Sequence, residues 1–371
     1  MISQTVVKPT KSWSNTRVLR RYLPTNPWKL ALCATFLSLI GLTLFTVLVV
    51  TFIFLRLSSQ FSQAAGITRV ELIHTIRNSY TTAQSVLLPE KILVLILGTD
   101  EVANRIGSPV LTDTILYVSL DTQTGRSSVL SLPRDTWSSE YQTKINALYH
   151  YSSQQPDSER VQFLSDSFKS VTGLDPDYTL IVSPEDVSKL VDAVGGVNVV
   201  ISESFVDEEF PRDDVSLTTS DSAALYKTVV FSEGTEHMDG TRAVEYMRSR
   251  KSSGETGTDL NRALRQQAVI QAFVSRLGSR EFLSNPTTVG TAYRLYLLDY
   301  ESMFPLDFLI ALAQKLYPLR NQVRISQVNI PIYPDDPDGL LEHPPVEQYQ
   351  GQWVYTIRNK AAFVEFIRNS L

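Results

Sequence analysis

Residues 30–55 run for 26 positions without a charged side chain. As a helix at 1.5 Å per residue, such a run reaches roughly 39 Å, enough to cross a hydrocarbon core of about 30 Å with some tilt. Before it lie Lys8, Lys11, Arg17, Arg20, Arg21 and Lys29, with no acidic residue, and the next charge is Arg56. Basic flanks stay on the cytoplasmic side, which predicts the N-terminus inside and everything after Arg56 outside. A cleaved signal peptide would carry an apolar core of roughly half this length, and no small-x-small site closes this one. No later segment is as long and apolar, so the expectation is a single-pass anchor. The chain then divides into a basic cytoplasmic tail at 1–29, a transmembrane helix at 30–55, an extracytoplasmic stalk at 56–88 and a folded domain at 89–371.

Composition narrows the chemistry of that domain. A net charge of −5 gives no basic face for nucleic acid. The sole cysteine, Cys33, lies in the apolar run, which leaves the domain without disulfides, a thiolate nucleophile or a zinc–thiolate site. His74, His150, His237 and His343 lack metal-ligand spacing, and no dinucleotide, P-loop, HExxH or GxSxG motif is present.

The densest information lies at 91–137. Three apolar runs, at 92–97, 115–120 and 127–132, are broken by Gly98-Thr99-Asp100, preceded by Thr112-Asp113-Thr114, and ended by Pro133-Arg134-Asp135. Short apolar runs bounded by Gly, Asp and Pro read as buried strands, and strand ends are where α/β sheets place their chemistry. Further along, helices are expected at 158–171, from Pro184 to Gly195-Gly196, 286–298, 304–317 and from Lys360. Strands are expected at 178–182, 197–201, 227–231 and 323–330. This alternation predicts an α/β fold, a mostly parallel or mixed central sheet covered by helices on both faces. The polar, acidic tract 202–226 reads as an insertion or flap.

A second dense stretch carries Arg248 and Arg250 at the end of one helix and Arg262, Arg265 and Gln266 near the start of the next. Arg262 and Arg265 are three apart, and Arg262 and Gln266 four apart, so all three share a helix face. Leu260, Leu264, Ala268, Ile270, Phe273, Val274 and Leu277 are expected to bury that helix. Arginines cluster where an anion offsets them, and their forked donors suit phosphate oxygens. Asp100 and Asp113 beside such a cluster would repel an anionic ligand unless a cation lay between, and magnesium is held in this way by one or two carboxylates together with phosphates. The competing reading makes each aspartate a cap at a strand end and each arginine a solvated surface charge.

These residues, in this order, resemble the LytR-CpsA-Psr family of cell-envelope proteins. The pieces are GTD at 98–100, the DT pair at 113–114, SLPRDTW at 131–137, KIN at 144–146, LVDAVGGVNV at 190–199, EYMRSRK at 245–251 and DLNRALRQQ at 259–267. The core motifs fall within 91–280. The resemblance implies a phosphotransferase that moves a glycopolymer, such as teichoic acid or capsule, from a polyprenyl-diphosphate carrier to peptidoglycan outside the membrane. It implies Asp100 and Asp113 as ligands of Mg2+, or of Mn2+ in its place. Arg134, Arg248, Arg250 and Arg262 would bind the diphosphate, with Arg265 and Gln266 beside them, and Asp135 would orient Arg134 or act as base toward the acceptor hydroxyl. The apolar helices at 260–317 would wall a lipid tunnel. Hydrolysis of the diphosphate on the same site, or a non-catalytic envelope regulator, are the alternatives. One departure stands out: the family usually has Arg-Ser before the Asp-Thr pair, and this chain has Leu111-Thr112, with Arg105 nearby as a substitute cation.

Overall fold

The computed structural model describes residues 27–100, 109–212, 215, 222–250, 259–319 and 324–371. They fall into two units, Met1–Ser59 and Gln60–Leu371. The first holds most of α1 (Pro27–Ala65), in which Ser38–Ala65 is long and apolar enough to cross a membrane by length and composition.

The stretch read as a stalk is helical. After α1 comes α2 (Arg69–Ala83), opened by a capping box in which Thr68 Oγ1 accepts from the Glu71 amide and Glu71 accepts from the Thr68 amide. From Gln60 onward these residues belong to the second unit, where Ala65 and Ala83 are buried. A Cβ on Gly290 would meet the Phe61 carbonyl oxygen at 2.6 Å, so the end of α1 packs backbone to backbone against a later helix. The domain thus begins near residue 60 and not at 89, because small residues in the supposed stalk allow close packing.

Next come β1 (Lys91–Thr99), β2 (Thr112–Asp121) and β3 (Arg126–Ser131). The helix expected at 158–171 is α3 (Arg160–Thr172), ended by Gly173 at φ 71°, a left-handed conformation that costs glycine little. β4 (Tyr178–Val182) leads to α4 (Pro184–Ala193), where Ser183 and Asp186 form a capping box and Pro184 sits at the first helical position. β5 (Val197–Ile201) follows as expected.

The tract read as a flap is instead partly strand. β6 (Phe205–Pro211) pairs antiparallel with β7 (Tyr226–Phe231), with an irregular register between Asp207 and Phe210. Its acidic residues conceal an alternation in which Phe205, Asp207 and Phe210 are buried. β8 (Gly234–Met238) pairs with β5 and hands over to α5 (Gly240–Arg248), whose N-cap is Asp239. Then follow α6 (Asp259–Leu277), α7 (Pro286–Asp299), α8 (Leu306–Leu316), β9 (Arg324–Asn329) and α9 (Lys360–Ser370).

The central sheet has the order β9-β3-β2-β1-β4. β1–β2 and β2–β3 are antiparallel while β1–β4 and β3–β9 are parallel, so the sheet is mixed. Strand side chains alternate between faces, and the two faces serve different ends. Leu95, Leu97, Ile115, Tyr117 and Leu130 build one core with Phe168 of α3 and Phe363 and Ile367 of α9. Ile96, Leu116, Leu180 and Val182, from the intervening positions, line a cavity. A second core lies around β5–β8, α5 and α6.

Candidate active site

The cavity has a volume of about 800 Å³, within the usual range for small-ligand sites. One part of its wall is apolar: Ile96, Leu116 and Leu180 from the sheet, Val187 and Leu190 from α4, and Met247, Val269 and Phe273 from α5 and α6. The other part carries Asp100, Asp113, Arg134, Arg248, Arg250, Arg262 and Gln266. Two stretches more than 110 residues apart in sequence therefore meet at one site. The wall differs from the expected one, since α6 contributes but α7 and α8 do not; α4 and the sheet take their place.

Asp113, at the start of β2, is the electrostatic centre. Its Oδ1 accepts from Arg134 Nη1 at 2.5 Å. Its Oδ2 has Arg250 Nη1 at 3.7 Å and Arg262 Nη1 at 3.9 Å, beyond hydrogen-bond reach. Arg134 also lies 3.4 Å from Asp135, whose other oxygen accepts from Lys144 Nζ at 2.7 Å. Asp135 is absent from the cavity lining, so of its two expected roles the geometry favours orienting Arg134. Lys144 of the KIN motif completes that brace, and the Asn146 amide donates to the Arg134 carbonyl.

Asp100 is fixed by the backbone of Leu111. The Leu111 amide donates to Asp100 Oδ1 at 2.8 Å, and the Asp100 amide donates to the Leu111 carbonyl at 2.9 Å. These bonds need no particular side chain at 111, so leucine there leaves the aspartate's placement intact while adding apolar surface to the cavity. Arg105, the expected substitute cation, lies outside the described residues. On α6, Gln266 Oε1 accepts from Thr114 Oγ1 at 3.2 Å, tying the helix to β2.

Two expectations about α6 are overturned. Arg265 does not line the cavity: it is 5% exposed, donates to the Ser249 carbonyl and stacks over Phe205 with 4.9 Å to the ring centroid. Burial pulls its guanidinium below the usual range, against the opposing influence of Tyr246 and Asp207. The apolar residues Leu264, Val274 and Leu277 are 45%, 50% and 39% exposed, whereas Arg262 is 8% exposed. The face of α6 turned inward carries Arg262 and Arg265 together with Val269, while Ala268 and Phe273 pack beside it, and the buried Ser249 carbonyl receives Arg265 there.

The sequence reading also missed two acids. Asp207 and Glu209 of β6 line the cavity, and Asp207 is 1% exposed. The flanking Phe205 and Phe210 were a strand signal that the flap reading passed over, and nothing in the tract distinguishes the one buried carboxylate. Among the described residues these acids offset the arginines of the lining, Arg134, Arg248, Arg250 and Arg262 facing Asp100, Asp113, Asp207 and Glu209.

The LytR_cpsA_psr family model matches residues 66–362, and the chain belongs to that family. It is 26% identical over 206 residues to the polyisoprenyl-teichoic acid–peptidoglycan teichoic acid transferase TagU of Bacillus subtilis, covering 54% of this chain and 56% of the relative. It is 26% identical over 193 residues to TagV of the same organism, a transferase of the same description, covering 50% of this chain and 44% of the relative. The chain thus spans about half the length of the curated relatives it matches. Among solved structures, B. subtilis TagV superposes with a TM-score of 0.50 at 20% identity, covering 76% of this chain and 96% of that one. A protein described as a transcriptional regulator from Enterococcus faecalis gives 0.51 at 17% identity, covering 76% and 88%. These structures share the fold.

Proposed function

We propose that this chain transfers a glycan from a polyprenyl-diphosphate carrier onto peptidoglycan, outside the membrane to which α1 anchors it. The observation that carries the reading is one cavity joining an apolar wall to four arginines and two strand-end carboxylates. Such a cavity suits a ligand that is an isoprenoid chain at one end and a diphosphate at the other. Family membership and the transferase names of the relatives point the same way. The basic residues of 1–29 support an orientation with the N-terminus in the cytoplasm and the domain outside.

In the reaction, an acceptor hydroxyl on peptidoglycan attacks the sugar-proximal phosphorus. The new O–P bond forms as the bond to the bridging diphosphate oxygen breaks, and polyprenyl phosphate leaves while the hydroxyl proton passes to a cavity carboxylate. Arg134, Arg248, Arg250 and Arg262 offset charge developing on the phosphoryl oxygens. Asp113 keeps three of these guanidiniums convergent, and Asp135 and Lys144 brace Arg134. Among the described residues the carboxylates of the lining offset its arginines, which leaves a place for a further cation beside a diphosphate. Asp100 and Asp113 fit magnesium: they line one cavity, and Asp113 Oδ2 accepts no hydrogen bond among the described residues. When bound there, magnesium would supply positive charge to the diphosphate oxygens.

The test is to incubate the full chain in detergent with a polyprenyl-diphosphate-linked glycan, with and without peptidoglycan. Transfer predicts glycan on peptidoglycan and release of polyprenyl phosphate only when the acceptor is present. Release without acceptor would make the chain a hydrolase. Retention of the donor without turnover would make it a binding protein.

A further inference from the structure

Asp207 and Arg265 are two buried, oppositely charged groups to which the proposed reaction assigns no step. Burying a charge costs several kcal/mol, and an apolar pair of similar volume often stabilises a fold as well or better. Their surroundings show what else they do. Between the two cavity-lining arginines Arg248 and Arg250 sits Ser249, which is fully buried and extended at φ −57°, ψ 128°. The chain leaves the helix at this residue, and with Ser249 turned inward its two neighbours, Arg248 and Arg250, both line the cavity.

The amide, hydroxyl and carbonyl of Ser249 are all tied. Its amide and its Oγ both donate to the Glu245 carbonyl, at 3.1 and 2.9 Å. Its carbonyl accepts from Arg265 Nη2. The next amide, that of Arg250, donates to Asp207 Oδ2 at 2.8 Å, and the other Asp207 oxygen accepts from the Glu209 amide at 3.1 Å. The backbone on either side of the 249–250 peptide is therefore gripped by a buried guanidinium from α6 and a buried carboxylate from β6. One turn earlier on α6, Arg262 enters the cavity itself.

We infer that Asp207 and Arg265 are positioning residues, a buried clamp on the 248–250 backbone that aims Arg248 and Arg250 at the diphosphate. This rests on the reading of the cavity as a diphosphate site. A supporting shell of this kind matters because a displacement near 1 Å is enough to lose much of a site's binding or rate. The clamp acts on the arginines through backbone bonds, Arg265 from outside the cavity and Asp207 from its edge through the Arg250 amide.

The experiment is a double-mutant cycle read by calorimetric binding of geranylgeranyl diphosphate, with magnesium chloride, to the full chain in detergent. Arg265→Met, which changes no lining residue, is expected to weaken binding about tenfold. Asp207→Ala also removes a lining charge, so it is compared with Asp207→Asn, which removes the same charge but keeps an acceptor for the Arg250 amide; the alanine variant is expected to bind about tenfold more weakly than the asparagine one. In an Arg248→Ala/Arg250→Ala background, the same clamp substitutions are expected to add less than about twofold, since coupled sites are non-additive. Equal losses in both backgrounds would overturn the clamp while leaving the diphosphate reading in place. If Asp207→Ala does not fold by circular dichroism, Arg265→Met carries the cycle alone. Wild-type protein that binds no geranylgeranyl diphosphate would overturn both.

Discussion

Arg134 and Asp113, 21 residues apart in sequence, meet at 2.5 Å where the end of β3 and the start of β2 converge on the cavity. The pair is about a quarter exposed on each side, so it is neither a free surface pair nor a fully buried one. Its bearing on function is large, because Asp113 is the shared counter-charge of Arg134, Arg250 and Arg262.

Asp113→Ala and Arg134→Ala are therefore predicted to reduce transfer more than a hundredfold while leaving the protein folded, with a melting temperature lower by about a few degrees. A transfer assay and a thermal melt on the same preparations check this. A melting point lowered by ten degrees or more would make the pair chiefly structural.

Ile270 lines the cavity and is 39% exposed, so enlarging it fills the cavity without rebuilding a core. Ile270→Trp is predicted to weaken binding of geranylgeranyl diphosphate about tenfold and to leave inorganic diphosphate unaffected. Equal losses for both ligands would mean that the isoprenoid chain lies elsewhere.

α5 carries Arg248 and packs tightly on α4. A Cβ added to Gly240 would come within 2.2 Å of the Ser188 carbonyl oxygen, which is backbone and cannot swing aside. Gly240→Ala is predicted to cost about 1–3 kcal/mol, a typical overpacking penalty, seen as a melting temperature lower by several degrees.

Asp121 accepts from the amides of Gln123 and Thr124 at 2.8 and 2.9 Å, and these bonds hold its carboxyl below the usual aspartate range. A carboxyl depressed in the folded state contributes stability above its unfolded value, about pH 3.9, and loses it as pH falls through the folded value. The wild-type melting temperature is predicted to drop more steeply below about pH 4 than that of Asp121→Asn, whose side chain does not titrate. Parallel curves would remove Asp121 from the acid response.

Chelation supplies a test of the metal. With carboxylates offsetting the arginines of the described lining, removing divalent cations is predicted to weaken geranylgeranyl diphosphate binding at least tenfold, and Asp100→Asn to mimic much of that loss. Binding indifferent to chelator would leave Asp100 and Asp113 as organisers of arginines alone.

Much of this was legible from local patterns. Apolar runs stopped by Gly, Asp and Pro marked β1 to β3, Ser183-Pro184 marked the start of α4, and spaced motifs marked the family. The division of labour on α6 was not. Helical spacing placed Arg262, Arg265 and Gln266 on one face, but only tertiary partners decide that Arg262 faces the cavity and Arg265 faces Ser249. Hydrophobicity misled for the same helix, because Leu264 and Val274 look like core yet are half exposed. Asp207 was hidden in an acidic tract whose strand character depends on pairing with β7. The extent of the packed unit before residue 89 was not legible, because Phe61, Ala64 and Ala65 make a close contact with Gly290 that polarity alone does not reveal.

The central claim is that the cavity takes a polyprenyl diphosphate, and mass spectrometry of lipid co-purifying with the full chain tests it most directly. Wild-type protein is predicted to carry a polyprenyl phosphate or diphosphate species, and Arg262→Ala protein of equal stability to carry little or none. Co-purification of only phosphate-free lipid, or the same lipid load on the arginine variant, would contradict the account.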